Sequence, residues 1–376
     1  LGTGSNNSNT TSSTPVRVSM DLGQDTSDPL RWESVELGPD HTCGIVRDLS
    51  EFSYGSQELY CWGGNHDWQY GDGGESGGGA SSSNLPVEVS IPGLGATTDW
   101  DFPVDLSIGG SNACMTGERV SGDISDYPLV CWGQNNMGQL GNGSVSDTSR
   151  VPVETIGGMT DIIGWVADYS FGVGTACAIV DTVPEIHLYC WGENDHGQIG
   201  TPTGDQDDSD YLPYSADPLL VEFPSSTVGT PLTAVDIAVD GTHTCAILED
   251  GSVSCWGDNA IGQLGIGGGS DQSTPTQTSS LGVGRTAVSI SAGYEHTCAI
   301  LDDGSVSCWG QNFNGQLGNG AGGGTDGESE PIPTSSLGAG RTATNISAGT
   351  RHTCAILDDG SVSCWGKGGG GQLGNG

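Results

Sequence analysis

Short stretches of alternating apolar and polar residues, separated by aspartate and glycine, recur along the chain. The clearest reads His-Thr-Cys-Ala-Ile-Leu-Asp-Asp-Gly-Ser-Val-Ser-Cys over residues 296–308. Two runs rich in β-branched residues on either side of turn residues predict a β-hairpin. Glycine is abundant, at 65 of 376 residues, which is typical of an all-β protein with many tight turns. No run of about 18 apolar residues occurs, so the sequence does not predict a transmembrane helix.

The register of this hairpin follows from its cysteines. If residues 302–304 form a three-residue loop with glycine at the left-handed position, Cys298 lies opposite Cys308. A two-residue loop places Cys298 opposite Trp309 instead. Facing Cβ atoms of paired strands lie close enough for a disulfide, so we predict a cross-strand bond within the hairpin. The alternative, metal binding by His-x-Cys, is less well supported because no second ligand recurs beside it.

The hairpin belongs to a unit that is repeated six times. Cys-Trp-Gly recurs at intervals of 53 to 70 residues, and most copies continue with x-Asn, Gly-Gln-Leu-Gly, a loop and a proline-containing strand. Histidines at the same repeat position predict a structural role, as do the repeated tryptophans. The repeat places all twelve cysteines in six predicted disulfides: Cys43–Cys61, Cys114–Cys131, Cys177–Cys190, Cys245–Cys255, Cys298–Cys308 and Cys354–Cys364.

Units of this length with several short strands predict the blades of a β-propeller. We expect an all-β, six-bladed propeller of four-stranded antiparallel blades. In repeat five the first strand is expected at 287–291 and the outer strand near 331–335. The predicted repeats cover approximately 31–91, 92–157, 158–224, 231–281, 285–337 and 341–376.

The motif His-Thr, an apolar strand, Asp-Gly, a strand ending in Trp-Gly, Asn and then Gly-Gln-Leu-Gly resembles the repeat of the regulator of chromosome condensation family. The resemblance extends over most of residues 31–376 and implies a β-propeller; typical members have seven blades. The chain departs from the pattern at residues 68–73, which read Trp-Gln-Tyr-Gly-Asp-Gly, and in repeats two and three, which lack His-Thr. The cysteine pairs are also absent from the usual intracellular pattern.

Both ends of the chain bear on how the ring closes. The last repeat stops at Gly-Gln-Leu-Gly-Asn-Gly, and residues 14–20 resemble the proline-valine segments that follow this motif elsewhere, such as 148–156. We therefore predict that 14–20 supplies the outer strand of the last blade, within the same chain or in a neighbouring subunit. The domain would span 14–376, after a flexible Ser/Thr/Asn-rich linker over 1–13.

The amino-acid composition indicates where the protein is located and which partners are not expected. Twelve cysteines without a Cys-x-x-Cys motif favour an oxidising extracellular or cell-surface location, and the chain, which begins at Leu1, is interpreted as a mature or trimmed product. Forty-seven acidic residues against nine basic ones give a net charge of −38. This charge repels phosphate backbones, so nucleic acid is not an expected partner.

Two kinds of peripheral site are suggested by short motifs. The acidic loop 201–218 offers a candidate calcium site, although a solvated loop is the simpler interpretation. Its candidate ligands are Asp205, Asp207, Asp208 and Asp210. Asn-x-Ser/Thr sequons make Asn6, Asn9, Asn142 and Asn345 candidate glycosylation sites.

No catalytic constellation stands out: the glycine runs lack the Lys-Ser/Thr of a phosphate loop, and the paired aspartates lie in hairpin turns. We therefore expect a non-enzymatic extracellular structural or interaction module without a cofactor, as part of a filament, appendage or surface layer. Its partners would be proteins, including copies of itself. The alternatives are a secreted protein-binding or inhibitor propeller and, less well supported, a propeller lyase or hydrolase. Nucleotide exchange or chromatin binding, which the resemblance suggests, conflicts with the charge and the cysteines.

Overall fold

The computed structural model describes residues 31–38, 40–47, 57–74, 82–90, 102–121, 124–126, 128–146, 148–155, 165–171, 174–181, 185–201, 212–223, 231–321 and 325–374. These residues form six antiparallel β-sheets, each a blade of an all-β propeller. The predicted fold class is confirmed. In the described part of the chain, no helix is long and apolar enough to cross a membrane.

Each blade is a meander whose strands follow chain order. Blade 1 holds β1 (Arg31–Leu37), β2 (His41–Arg47), β3 (Gln57–Gly63) and β4 (Ser83–Glu88). Blade 2 holds β5 (Phe102–Gly109), β6 (Asn112–Ser121), β7 (Ile124–Asp126), β8 (Leu129–Gln134) and β9 (Thr148–Glu154). Blade 3 holds β10 (Trp165–Phe171), β11 (Thr175–Asp181), β12 (Ile186–Glu193) and β13 (Tyr214–Val221).

The second half of the chain is more regular. Blade 4 holds β14 (Ala234–Asp240), β15 (His243–Leu248), β16 (Val253–Gly257) and β17 (Gln272–Gln277). Blade 5 holds β18 (Ala287–Gly293), β19 (His296–Leu301), β20 (Val306–Asn312) and β21 (Thr325–Pro333). Blade 6 holds β22 (Ala343–Ala348), β23 (His352–Leu357) and β24 (Val362–Gly366).

The predicted hairpin register is confirmed. Cys298 faces Cys308 across β19 and β20, and Gly304 has the left-handed φ of 76° that the three-residue loop requires. Equivalent pairs face each other in the other blades, and all six predicted disulfides are formed, with no free cysteine in the described chain. Each blade therefore carries its own covalent bond between its second and third long strands.

Two details differ from the expectation. The outer strand of blade 5 begins at Thr325 rather than near 331, because irregular pairing around Gly310 lets β21 continue alongside β20 as far as Asn312. Blade 2 gains a fifth strand, since β6 extends beyond its disulfide and pairs with the short β7. The linker 1–13 and the proposed closing strand 14–20 lie outside the described residues.

The core is divided into layers between blades. Five clusters of buried apolar residues each join two consecutive blades, from blades 1 and 2 through to blades 5 and 6. In the cluster between blades 5 and 6, for example, Val306 and Leu317 pack with Ile346 and Leu357. The described residues form no such cluster between blade 6 and blade 1.

Candidate functional site

In blades 1 to 5 an asparagine fixes the corner that follows Cys-Trp-Gly, whereas blade 6 has Gly368 at this position. In blade 5 the Asn312 Oδ1 accepts the Leu317 N–H at 3.2 Å, and Gly315 and Gly318 take left-handed φ angles of 82° and 64°. Blades 1 to 4 repeat this bond within 3.0 to 3.2 Å. In all six blades the residue after Cys-Trp-Gly donates its N–H to the turn between the first two long strands. We call the end of the propeller that carries these turns and corners the corner face.

Each corner also binds the next blade. In blades 2 to 6 the indole Nε1 of the Cys-Trp-Gly tryptophan donates to the carbonyl oxygen of the corner glutamine in the preceding blade. The structural role predicted for the repeated tryptophans is thus confirmed at these five positions. The five pairs lie at 2.8 to 2.9 Å: Trp132–Gln69, Trp191–Gln139, Trp256–Gln198, Trp309–Gln263 and Trp365–Gln316.

The repeated histidines extend this link. His243 Nε2 lies 2.8 Å from Thr297 Oγ1 in the next blade, and the Thr297 hydroxyl donates to the Gln263 carbonyl at 3.0 Å. Because that hydroxyl has one proton, the imidazole must be the donor to it. His296 makes the same bond to Thr353 at 2.9 Å. The structural role predicted for the repeated histidines is thus confirmed at these two positions.

Blade 1 lacks this relay. His41 Nε2 is buried with no hydrogen-bond partner among the described residues, because blade 2 has Ala113 at the position that threonine holds in blades 5 and 6. Repeat two reads Asn-Ala-Cys where repeats four to six read His-Thr-Cys. The departure from the repeat consensus therefore has a local structural cost, a polar atom without its partner.

The two relay histidines predict acid sensitivity. Burial lowers the pKa of His243 to about 4 and that of His296 to about 3, with the neighbouring histidines adding to the second shift. Below the ordinary histidine pKa of about 6.5 the unfolded chain binds protons that the fold excludes, so stability falls as pH decreases by about 1.4 kcal/mol per unit for each histidine. We expect His243→Gln to reduce this slope by about 1.4 kcal/mol per unit between about pH 6 and about pH 4.5.

Chemical denaturation at several pH values measures the slope. His187→Gln is the matched control, since His187 lies on β12 beside Glu185, away from the relay, and should leave the slope unchanged. Asp240 acts in the opposite direction: its pKa is raised to about 6 by burial, so it adds stability as pH falls toward about 4. Equal slopes in wild type and His243→Gln would contradict the assignment.

A cavity of about 650 Å³ opens on the corner face among the ends of the first strands of blades 1, 2, 4, 5 and 6. Burial and the nearby Asp105 raise the pKa of Glu36 in its wall to about 7. Arg351 and Lys367, the chain's single lysine, line it as well. In a chain with 47 acidic and nine basic residues, the wall of one cavity thus holds two basic side chains and Glu36, which is partly protonated near neutral pH.

The surface of blade 6 that points away from blade 5 is exposed. Ile356 and Val362 are 44% and 63% exposed, whereas Ile300 and Val306, their counterparts in blade 5, are 2% and 1% exposed. Leu373 is half-buried, although its counterpart Leu317 is fully buried. We call Ile356, Val362 and Leu373 the sixth-blade surface.

Blade 1 has a matching exposed surface. Val35 on β1 is 44% exposed, whereas Ile290, its counterpart on β18, is 6% exposed because blade 4 covers it. Leu37 is also exposed and lines the cavity. We call Val35 and Leu37 the first-blade surface. The two surfaces are the apolar faces that join consecutive blades elsewhere in the ring.

The other predicted site residues are separated from these surfaces. The calcium candidates Asp205, Asp207, Asp208 and Asp210 lie outside the described residues, as do Asn6 and Asn9. Asn345 is exposed on β22, while Asn142 is half-buried and its Oδ1 accepts hydrogen bonds from the backbone and hydroxyl of Ser144.

Comparison with known proteins identifies the repeat. The regulator of chromosome condensation (RCC1) repeat matches at 187–247, 250–300 and 303–356, and a second profile of the same repeat matches at 235–263, 287–316 and 343–372. The protein is an RCC1-repeat β-propeller.

The ultraviolet-B receptor UVR8 of Arabidopsis thaliana is 29% identical over 76% of this RCC1-repeat chain. The chain spans 60% of that relative's length. The crystal structure of human WBSCR16 superposes with a TM-score of 0.69 at 20% identity, covering 92% of this chain and 79% of the other. Yeast RCC1 (Prp20), crystallised bound to Kap60, gives a TM-score of 0.68 at 17% identity over 92% and 72% of the two chains. These structures share the fold.

Sequence reasoning missed the two exposed surfaces and the cavity. The repeat made every blade look equivalent, so it gave no reason for Val362 to differ from Val306. The isolated basic residues were one available signal: Arg351 and Lys367 occupy positions held by other residue types in neighbouring repeats, and both line the cavity.

Proposed function

We propose that this RCC1-repeat propeller is a non-catalytic protein-interaction module of an extracellular assembly, and that its sixth-blade surface docks the first-blade surface of another copy. The observation that carries the proposal is the exposure of Ile356 and Val362 at positions that are buried in blade 5. Apolar side chains grouped on one face and left in water favour association.

A second copy is the occupant that fits the sixth-blade surface best. Between consecutive blades, a valine and a corner leucine of one blade pack with aliphatic residues on the first strand of the next. Val362 and Leu373 on one copy and Val35 on another offer the same pairing. Since the two surfaces differ, the contact would be heterologous, and repeated contacts of this kind produce open chains of subunits unless the rotation closes.

The proposed location rests on the cystines. Six disulfides within the blades are stable in oxidising compartments and are rare in reducing ones. The strongly acidic composition would keep such a protein soluble at high concentration. In that setting Asn345, which is exposed, is the better glycosylation candidate of the two described sequons.

We also propose that residues 14–20 form the outer strand of blade 6. Proline occurs within the outer strands of blades 1 to 5, where a missing N–H is tolerated at a sheet edge. Residues 14–20 read Thr-Pro-Val-Arg-Val-Ser-Met and fit this pattern, so they could pair with β24 in the same chain or in the neighbouring copy. Pairing in the neighbour would add backbone hydrogen bonds to the apolar contact.

Val362→Glu should abolish or strongly weaken self-association, because it places a charge in the proposed contact. Light scattering coupled to size-exclusion chromatography over a concentration series measures the effect, and we expect a loss of affinity of about tenfold or more. Val283→Glu is the matched control, since Val283 is fully exposed in the connector between blades 4 and 5. A wild-type protein that stays monomeric at every concentration, or a variant that assembles as wild type does, would overturn the proposal.

The cavity supports a second candidate, binding of a different protein at the corner face. Tyr294 and Leu37 are exposed at the cavity beside Arg351 and Lys367, which together suit a partner segment carrying an apolar side chain and a carboxylate. Cross-linking through Lys367 with residue-level mass spectrometry would distinguish this partner from a second copy.

A further inference from the structure

The junction of blades 3 and 4 gathers one imidazole and two carboxylates. His196 lies in the corner of blade 3, Asp258 directly follows Cys-Trp-Gly of blade 4, and Asp271 directly precedes the outer strand β17. One potential ligand atom from each residue lies within 4.8 Å of the other two. Three side chains from separate loops of two blades thus point to one place.

The packing of blade 3 against blade 4 brings these three side chains together. Gly197 follows His196 with a left-handed φ of 81°, and a Cβ at this position would lie 2.6 Å from the Cα of Ser273. The corner of blade 3 therefore rests directly on β17, two residues beyond Asp271. The His196 N–H is held by Gln198 Oε1 at 2.9 Å, which fixes the backbone from which the imidazole projects.

Both carboxylates are oriented by other groups. The Ala260 N–H donates to Asp258 Oδ1 at 2.8 Å, and the Thr242 hydroxyl donates to Asp258 Oδ2 at 3.1 Å. The Asn259 N–H donates to Asp271 Oδ1 at 3.0 Å, which leaves Oδ2 facing His196 Nδ1 at 3.0 Å. Hydrogen bonds of this kind hold ligands in place around bound metals.

The surroundings are electronegative. Burial and Asp195 raise the pKa of Glu193 beside His196, and burial and Asp258 raise the pKa of Glu295 on the other side. The histidine is also specific to this junction, because the same corner position holds methionine, isoleucine and asparagine in blades 2, 4 and 5. The repeat alone does not account for it.

We propose that His196, Asp258 and Asp271 bind one divalent transition-metal ion, preferably Zn²⁺, that links blades 3 and 4. One imidazole nitrogen and two carboxylate oxygens, with water as a further ligand, form a donor set that Zn²⁺ accepts. Ca²⁺ takes about six to eight oxygen ligands and is poorly served by three side chains that include an imidazole. The described cysteines are all in disulfides, so no thiolate competes for the ion.

Calorimetric titration of the chelator-treated, oxidised protein with ZnCl₂ and with CaCl₂ tests the proposal. We expect saturable Zn²⁺ binding that is at least about tenfold tighter than Ca²⁺ binding, and a visible absorption band when Co²⁺ replaces Zn²⁺. Thr242→Val removes a supporting hydroxyl and should weaken Zn²⁺ binding by about tenfold. His196→Ala should remove both the tight site and the absorption band.

Two controls make the outcome specific. His187→Ala removes a partly exposed histidine that also lies beside a carboxylate, Glu185, and should bind Zn²⁺ and Co²⁺ as wild type does. Circular dichroism establishes that each variant is folded. Absence of saturable Zn²⁺ binding in the wild-type protein, or His196→Ala binding Zn²⁺ with wild-type affinity, would overturn the proposal.

Discussion

Trp256→Ala is expected to lower the free energy of unfolding by about 3–5 kcal/mol, the range for truncating a fully buried tryptophan. Trp256 is 0% exposed and lies in the apolar cluster shared by blades 3 and 4. Its indole N–H also donates to the Gln198 carbonyl at 2.8 Å. The substitution therefore removes a large side chain and the hydrogen bond that joins two blades.

A second variant separates the hydrogen bond from the buried surface, and a third serves as a control. Trp256→Phe keeps most of the buried surface but lacks the donor, and should cost about 1–2 kcal/mol, because Thr244 Oγ1 still donates to the same carbonyl at 2.8 Å. Phe313→Ala truncates an exposed aromatic residue in a corner of blade 5 and should change stability by less than about 0.5 kcal/mol. Denaturant titration of all three proteins measures these differences. A Trp256→Ala protein as stable as Phe313→Ala would contradict the role of the tryptophan between blades.

Local pairing could be predicted from the sequence because the signals for it are local. The position of Gly304 and the even spacing of Cys298 and Cys308 define one hairpin loop and one register. The disulfides follow from that register without knowledge of any other blade. In repeats one to three the loops are longer, yet the same strands pair, since Cys43 faces Cys61 and Cys177 faces Cys190.

For the contacts between blades, the sequence predicted the role of the residues but not their partners. The repeated His-Thr indicated a structural role, but the partner of His243 is Thr297, 54 residues away, and its geometry depends on how two sheets stack. His41 Nε2 lacks a hydrogen-bond partner among the described residues for the same reason, because the residue that would face it is Ala113 in another repeat. A consensus describes each unit well and describes the junction between two unequal units poorly.

The candidate metal site illustrates the same limit. The sequence predicted candidate calcium ligands where aspartates lie close together in the chain, at Asp205, Asp207, Asp208 and Asp210. His196 and Asp271 lie 75 residues apart and meet because the corner of blade 3 rests on β17. Proximity in the chain was therefore a weaker guide to a cation site than the packing between blades, in which the corner glycines Gly138, Gly197 and Gly262 lie against the outer strand of the next blade.

Removing all six disulfides is expected to unfold the propeller. The bonds close rings of 10 to 18 residues. Chain entropy assigns about 3 kcal/mol to each ring of this size. Six such contributions exceed the net stability of about 5–15 kcal/mol that most folded proteins have. Denaturant titration with and without a phosphine reductant, followed by tryptophan fluorescence, should show the cooperative transition disappear when the bonds are broken.

We expect the six disulfides to be reduced in a defined order, and this order serves as an internal control. The cysteines of blades 1 to 5 are completely buried, whereas Cys354 and Cys364 are half-buried in the blade that bears the sixth-blade surface. Reduction requires access of a thiolate or phosphine to a sulfur atom, so under native conditions Cys354–Cys364 should be reduced and alkylated first. Peptide mapping after brief reduction identifies the alkylated pair. If the reduced protein retained its wild-type transition, the stability of the blades would come from packing alone. If a buried pair reacted before Cys354–Cys364, the sixth-blade surface would have to be covered already, as it would be by self-association.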